Sequence, residues 1–201
     1  MECHIKQFDW SGLTKGKKNI LDAFLKIATK EGWAAVTMRS LGEILNLKAP
    51  SIYSHFPGGK DDIVTECLRW HYYTFGLTLV EALSTVDNAE DFFDSMVRVH
   101  FTQQHLRPES DHWDLLVCSD RVGRFLQDDI RGEIDDWMNL LAGLYEMAAV
   151  EMGFKNVKMK VQIIMSMLDD ATAWSDWSGS PSDLPAMTDE VLKILKAILA
   201  A

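Results

Sequence analysis

Nowhere in this sequence do enough apolar, uncharged residues follow one another to build a membrane-spanning helix. Met1 to Thr14 lack the apolar run of a secretory signal. Cysteine is scarce: Cys3, Cys67 and Cys118 are scattered, with neither a metal-binding spacing nor a paired framework. A reducing, cytoplasmic setting is therefore expected. Catalytic signatures are missing too. There is no phosphate-binding glycine loop, no HExxH and no ordered nucleophile–base spacing. The adjacent acids Asp128–Asp129 and Asp169–Asp170 would point about 100° apart on a helix and make poor catalytic pairs. His100 and His105 are five apart, a poor spacing for one helical face, and His71 and His112 would join them only by chance of folding. Neither an enzyme, a cofactor nor a metal is expected. Alternating polar and β-branched runs are also rare, which argues against sheet.

What is present reads as helix. The 201 residues are 47% hydrophobic, enough for a substantial core, and apolar positions recur mostly at three and four. Ile20, Phe24, Ile27 and Ala28 make one stripe on a first helix from about Thr14 to Glu31, which Gly32 ends. Thr37 caps a short helix, Met38 to Leu45. Asn46 and Leu47 form a connection, and a brief third helix, about Ala49 to His55, accepts Pro50 in its first turn. Pro57-Gly58-Gly59 stops it, and a long helix starts near Lys60, with Asp61 and Asp62 against its positive end. Beyond it the pattern predicts helices over 60–84, 88–106, 111–119, 123–153, 157–176 and 186–200, with Pro108 in a break, Gly153 at an end and Ser178 to Pro185 as a loop. The expectation is an all-α chain: an N-terminal extension (1–14), a three-helix head with a helix-turn-helix (15–60) and a C-terminal helical bundle (61–201).

Charge divides at the same place. The net charge is -10, yet residues 1–60 carry nine Lys/Arg against five Asp/Glu, and residues 61–201 carry eleven against twenty-five. A basic head on an acidic body can set one surface on phosphates and repel them elsewhere.

A DNA-reading helix must be short, exposed on one face and braced by a second helix. In residues 37–56, Leu41, Ile44 and Leu45 supply the brace, Leu47 plugs the turn, and Ile52 and Phe56 anchor the reading helix. Lys48, Ser51, Tyr53, Ser54 and His55 then face outward, where Ser, Tyr and His can donate to phosphates or base edges and Lys48 adds charge. Thr37 at one helix start and Lys60 at another can each meet a phosphate. Alternatively, Tyr53 is a packed aromatic with its hydroxyl at the rim and His55 a solvated or core histidine. A helical protein-interaction module without DNA binding fits the pattern as well.

Residues 17–64 resemble the TetR family of transcriptional regulators. The likeness lies in Lys17 or Lys18 with Ile20 and Leu21, in Gly32 with Trp33, in Thr37, in Ser51-Ile52-Tyr53-Ser54-His55-Phe56 and in Lys60. Leu41-Gly42 replaces the family's usual Ile-Ala, Asn46-Leu47 replaces Gly-Val, and Pro57-Gly58-Gly59-Lys60 is similar to a subset with a longer turn. The resemblance implies DNA contacts by Thr37, Ser51, Tyr53, His55 and Lys60, with Ala49 able to touch a thymine methyl. It implies repression of an approximately palindromic operator, relieved by a small-molecule effector. It also implies a homodimer formed through the last two long helices, where Val161, Ile164, Met165 and Leu168, and Val191, Ile194, Leu195 and Ile198, are the candidate faces. Those stripes can instead pack within one subunit. For the effector, the aromatic-rich body offers Trp70, Phe101, Trp113, Trp137, Tyr145 and Trp174 as candidate pocket walls, and its acidity is compatible with a cationic ligand or with solubility alone.

Overall fold

In the computed structural model, the described residues are 13–32, 35–107, 110–124 and 126–201, and every regular element among them is helical. Most of the expected N-terminal extension, together with Trp33, Pro108 and Phe125, lies outside them. Helix α1 (Lys15–Glu31) is capped by the Thr14 hydroxyl, which accepts the Lys17 N–H, and it buries the predicted stripe of Ile20, Phe24, Ile27 and Ala28. Helices α2 (Met38–Leu45) and α3 (Ala49–His55) follow, then the long α4 (Lys60–Leu83). The head packs through α1, which touches α2, α3 and α4.

The body is arranged around α5 (Ala89–Leu106), whose N-terminus is capped by Asn88 accepting the Asp91 N–H at 2.9 Å. This helix packs against α4, α6 (Ser110–Gly123), α7 (Asp128–Glu151), α8 (Val157–Asp169), α9 (Ala171–Trp174) and α10 (Leu184–Ala200). A helix touched on so many sides has little polar face left, and Phe93, Met96, Val97 and Phe101 are all buried. A 3-10 turn, Pro181–Asp183, leads into α10, so the predicted loop from Ser178 is already helical by Leu184.

Two boundaries differ from the sequence expectation, both through long-range hydrogen bonds. The predicted helix over 157–176 breaks at Asp170. There the Asp169 carbonyl accepts the Gln104 side-chain amide at 2.6 Å, while the Ala173 N–H goes to the Asp170 carbonyl at 3.0 Å. Helix α6 runs on to Gly123, and α7 waits until Asp128. Arg124 turns left-handed (φ 47°), and the buried Asp120 carboxylate accepts the Leu126 N–H at 2.7 Å and pairs with Arg131 at 2.7 Å. A residue eleven places downstream thus helps to set this junction.

The candidate DNA-reading head and the body cleft

The brace of the helix-turn-helix is narrower than its apolar pattern. Leu41 is fully buried and Met38 and Leu45 pack on the core, but Ile44 is 56% exposed and Leu47 41% exposed. Ile44 is no part of the brace and Leu47 is no plug. At 3.6 residues per turn, Ile44 falls roughly 100° from the direction shared by positions 38, 41, 42 and 45. The turn is instead closed by backbone. Asn46 adopts the left-handed conformation (φ 52°), and the Leu47 N–H donates to the Gly42 carbonyl at 2.9 Å. The Leu47 carbonyl comes so near Gly42 that a Cβ there would sit 2.7 Å from it. Glycine at 42 is what allows that approach.

Ile52 and Phe56 are buried and anchor α3, while Lys48, Pro50, Ser51, Tyr53 and Ser54 are exposed. Ser54 donates to the Ser51 carbonyl at 2.7 Å. Ala49 and His55 are half-buried. The His55 ring lies over the start of α1, close enough that a Cβ on Gly16 would meet it at 2.8 Å. Tyr53 leans its ring edge on Gly59, whose positive φ of 68° suits glycine and starts α4. The Gly58 N–H donates to Asp62 at 2.7 Å, holding the longer turn in place. Lys60 follows, half-buried, and burial draws its ammonium below its ordinary value against the opposing pull of Asp61.

Thr37 works as a reciprocal cap. Its hydroxyl accepts the Ser40 N–H at 3.0 Å, and its own N–H donates to the Ser40 hydroxyl at 2.9 Å. That amide is committed, so the anion-facing donors at this helix start are the Met38 and Arg39 N–H groups, next to the Arg39 side chain. Arg39 is 89% exposed and pairs with Glu43 at 2.9 Å. It was missed in the sequence, where its one signal is a cation in the first turn of the bracing helix.

The six aromatic pocket candidates divide. Phe101, Trp113, Trp137 and Tyr145 are buried in the core. Trp70 is half-buried beneath Arg107, and Trp174 is exposed, its indole N–H donating to the Met167 carbonyl at 2.7 Å. None of the six lines the cleft of about 440 Å³ that opens between α6, α7 and α8 with Tyr72 of α4 in its wall. Four acids (Asp114, Asp120, Asp135, Asp169) and three arginines (Arg121, Arg124, Arg131) line it, with Met138, Met165 and Ile134 as apolar wall.

A polar layer from α5 organises its acidic side. Gln104 donates its amide both to Asp114 at 2.8 Å and to the Asp169 carbonyl at 2.6 Å. His100 Nε2 donates to Asp169 at 2.9 Å, and the Tyr145 hydroxyl faces its Nδ1 at 3.4 Å. Burial, reinforced by Asp169, pushes the Asp114 carboxyl up to about 7. Buried His71, with no partner for Nδ1, is held well below its ordinary value by burial, then by Arg107 and His100. His105 is satisfied by the Phe101 carbonyl at 2.7 Å and Ser175 at 2.6 Å. Asp114 had a readable sign in the sequence, a lone acid between Trp113 and Leu115-Leu116-Val117; Asp169 and Tyr72 had none.

Of the eight candidate dimer residues, Val161, Ile164, Met165, Leu168, Val191 and Leu195 are buried inside the subunit, and Ile198 is half-buried. Their two helices pack on α5 and on each other, so the six buried positions are core of the subunit. Ile194 is exposed, and α8 and α9 expose Met159, Ile163 and Trp174 on another face. No helix among the described residues is long and apolar enough to cross a membrane.

Residues 20–67 match the family described as bacterial regulatory proteins, tetR family. No curated protein sequence matches the chain. Solved structures share its fold over nearly its whole length. A bacterial regulatory protein in the tetR family from Rhodococcus RHA1 superposes with a TM-score of 0.79 at 14% identity, covering 93% of this chain and 98% of that one. A transcriptional regulator from Saccharomonospora viridis in complex with choline gives 0.72 at 16%, covering 90% and 97%. AibR in complex with isovaleryl coenzyme A and operator DNA gives 0.72 at 11%, covering 90% and 97%. At these identities the likeness is one of fold. The head of this chain therefore carries the sequence signature of the tetR family of bacterial regulatory proteins, and its body has the fold on which such heads are mounted.

Proposed function

We propose that the protein is a DNA-binding transcriptional regulator that answers to a small molecule. The observation that carries this reading is the exposed face of α3, with Lys48, Ser51, Tyr53 and Ser54 turned outward on a helix anchored by Ile52 and Phe56, inside a segment matching the tetR family. Residues 15–60 act as the reading unit and 61–201 as the regulatory unit. Ser51, Tyr53, Ser54 and Ala49 approach base edges or phosphates in the major groove. Thr37, Arg39, Lys48, His55 and Lys60 hold the flanking backbone. The half-buried Lys60 gains most from a phosphate, because burial already weakens its charged form.

One head makes a small interface, so two copies read an approximately palindromic operator. The exposed apolar residues Met159, Ile163 and Trp174, with Ile194 on the next long helix, are the proposed contact between copies. Bound DNA blocks transcription in the cytoplasm, and an effector in the body releases it. The choline and isovaleryl coenzyme A complexes of similarly folded regulators support an effector in such a body.

Helix α4 is the link. It begins at Lys60 beside the reading helix and reaches the cleft at Tyr72, about 18 Å further along at 1.5 Å per residue. Arg69 on the same helix grips Glu133 of α7 with two hydrogen bonds, at 2.8 and 2.7 Å. A ligand that separates α6, α7 and α8 differently thereby has a rigid path to the head.

The test is fluorescence anisotropy of the purified protein with DNA fragments selected from its source genome, at several salt concentrations. Saturable binding that beats scrambled DNA, with two subunits per site and a steep loss with salt, is expected. No sequence preference in any selected fragment would refute the reading.

A further inference from the structure

The body cleft has two chemically different ends. Toward α5 and α4 lie Asp114, Asp169 and Tyr72; toward the α6–α7 junction lie Arg121, Arg124 and the Asp120–Arg131 pair. That last pair is already satisfied, since Arg131 also reaches Asp128 and the Leu126 carbonyl. The acidic end is not. Asp114 has the Gln104 amide on Oδ2, and Asp169 has His100 on Oδ1, which leaves one carboxylate oxygen of each without a donor. Tyr72 is only 6% exposed, yet its hydroxyl makes no hydrogen bond among the described residues and borders the cleft. The phenol is thus held by its ring in the core while its hydroxyl and the two free carboxylate oxygens are turned to the open cleft, where a ligand's donors can meet them. All three line the cleft, and the two acids act on each other and on the phenol; Met138, Met165 and Ile134 supply apolar, adaptable wall in the same cleft.

We propose that the cleft binds a small organic amine, its protonated nitrogen held by Asp114, Asp169 and the Tyr72 hydroxyl and its apolar body lying against Met138, Met165 and Ile134. A primary ammonium has three N–H donors, one for each acceptor. A neutral ligand leaves the two acids facing each other, and an anion is repelled by them. Burial first, and then the repulsion of Asp169, push the Asp114 carboxyl up to about 7. A cation restores the ionised form, so affinity rises with pH through that value. The groups facing Asp114 are Asp169 from α8, Gln104 and His100 from α5, Asp111 from its own helix and the Tyr72 phenol, which burial and the neighbouring acids keep protonated. The inference rests on the reading of the body as the effector-binding unit and names the class of effector.

The experiment is isothermal titration calorimetry of the full chain at pH 8 with three probes of similar shape: phenethylammonium, 2-phenylethanol and 3-phenylpropionate. The ammonium is expected to bind at least tenfold tighter than either of the others, and tighter at pH 8 than at pH 6. Asp114→Asn, with its folding checked by thermal melting, should lose at least tenfold of the ammonium affinity. Tyr72→Phe, which keeps the ring in place, should lose a smaller factor of about three to ten. The assignment is overturned by equal or tighter binding of the alcohol or the carboxylate, by an absent preference for the cation, or by unchanged ammonium affinity in both variants. Operator affinity measured on the same preparation separates the two failures. Operator binding without a cation preference removes this assignment and leaves the regulator reading standing. Tight cation binding by a protein that selects no DNA does the reverse.

Discussion

Asp114 shows how a single side chain can be held against its own chemistry. A free aspartate titrates near 3.8, and this one is pushed up to about 7. Between those values the folded protein carries a proton that the unfolded chain releases, so this group's contribution to stability falls as pH rises through the window. Above it the buried carboxylate costs on the order of 2–4 kcal/mol. Asp114→Asn keeps an acceptor for Gln104 and removes the charge. Its melting temperature should exceed that of the parent by several degrees at pH 8 and by less at pH 5, as scanning calorimetry can record. At the other end of the chain, Lys48 stands exposed at the start of the reading helix. Lys48→Ala should weaken binding to all DNA sequences alike and reduce the slope of log affinity against log salt by about 0.9 per site. Gly42 is the residue whose lack of a side chain matters most in the turn, because backbone occupies the place a Cβ would take. Gly42→Ala should therefore destabilise the head by about 1–3 kcal/mol in urea melts, although alanine is the better helix former.

Among the elements, α4 and α5 have opposite tasks. Helix α5 is the hub, and its polar residues His100, Gln104 and His105 bind the breaks in its neighbours rather than water. Helix α4 is a strut. It is fixed to the head by its contact with α1 and to α7 by the Arg69–Glu133 pair, where both side chains are about three-quarters shielded. Shielded, doubly hydrogen-bonded pairs transmit position better than exposed ones. Glu133→Gln should leave operator binding by the free protein near its original value. It should also blunt the change in operator affinity caused by a saturating effector, because α7 then moves without pulling α4. Paired anisotropy titrations with and without the ligand would read this, and an undiminished response would rule the pair out as the link.

For the whole molecule, charge is split along the chain, with an excess of four cations in residues 1–60 and of fourteen acids in residues 61–201. The proposed contact between copies keeps only Ile194 from the two predicted stripes. With six of the eight candidates inside the subunit, the exposed apolar residues that α8, α9 and α10 offer another copy are Met159, Ile163, Trp174 and Ile194. Ile163→Asp places a charge in that patch at a position 45% exposed in the single subunit, where the monomer tolerates it. Sedimentation velocity should then show a monomer, and operator affinity should fall by two orders of magnitude or more, since each head would bind a half-site alone. A dimer that survives the substitution would move the interface elsewhere.

The sequence by itself determined the local architecture of the head. Caps, turn residues and apolar spacing act within a few positions, so Thr14, Thr37, Asn46, Pro50 and Lys60 marked their boundaries without help from the rest of the chain. It also marked the exposed face of α3, because Ile52 and Phe56 leave only one side outward. What the tertiary structure decided lies where partners are far apart in sequence. The break at Asp170 depends on Gln104, and the delayed start of α7 depends on Asp120 meeting Arg131. Whether an apolar stripe on α8 or α10 faced a second copy or α5 was equally invisible, since periodicity gives a face and not its neighbour. The cleft belongs to the same class. Four of the six aromatic candidates, Phe101, Trp113, Trp137 and Tyr145, fill space in the core, while the cleft is lined by Tyr72 and by acids and arginines from helices that only the packed bundle brings together.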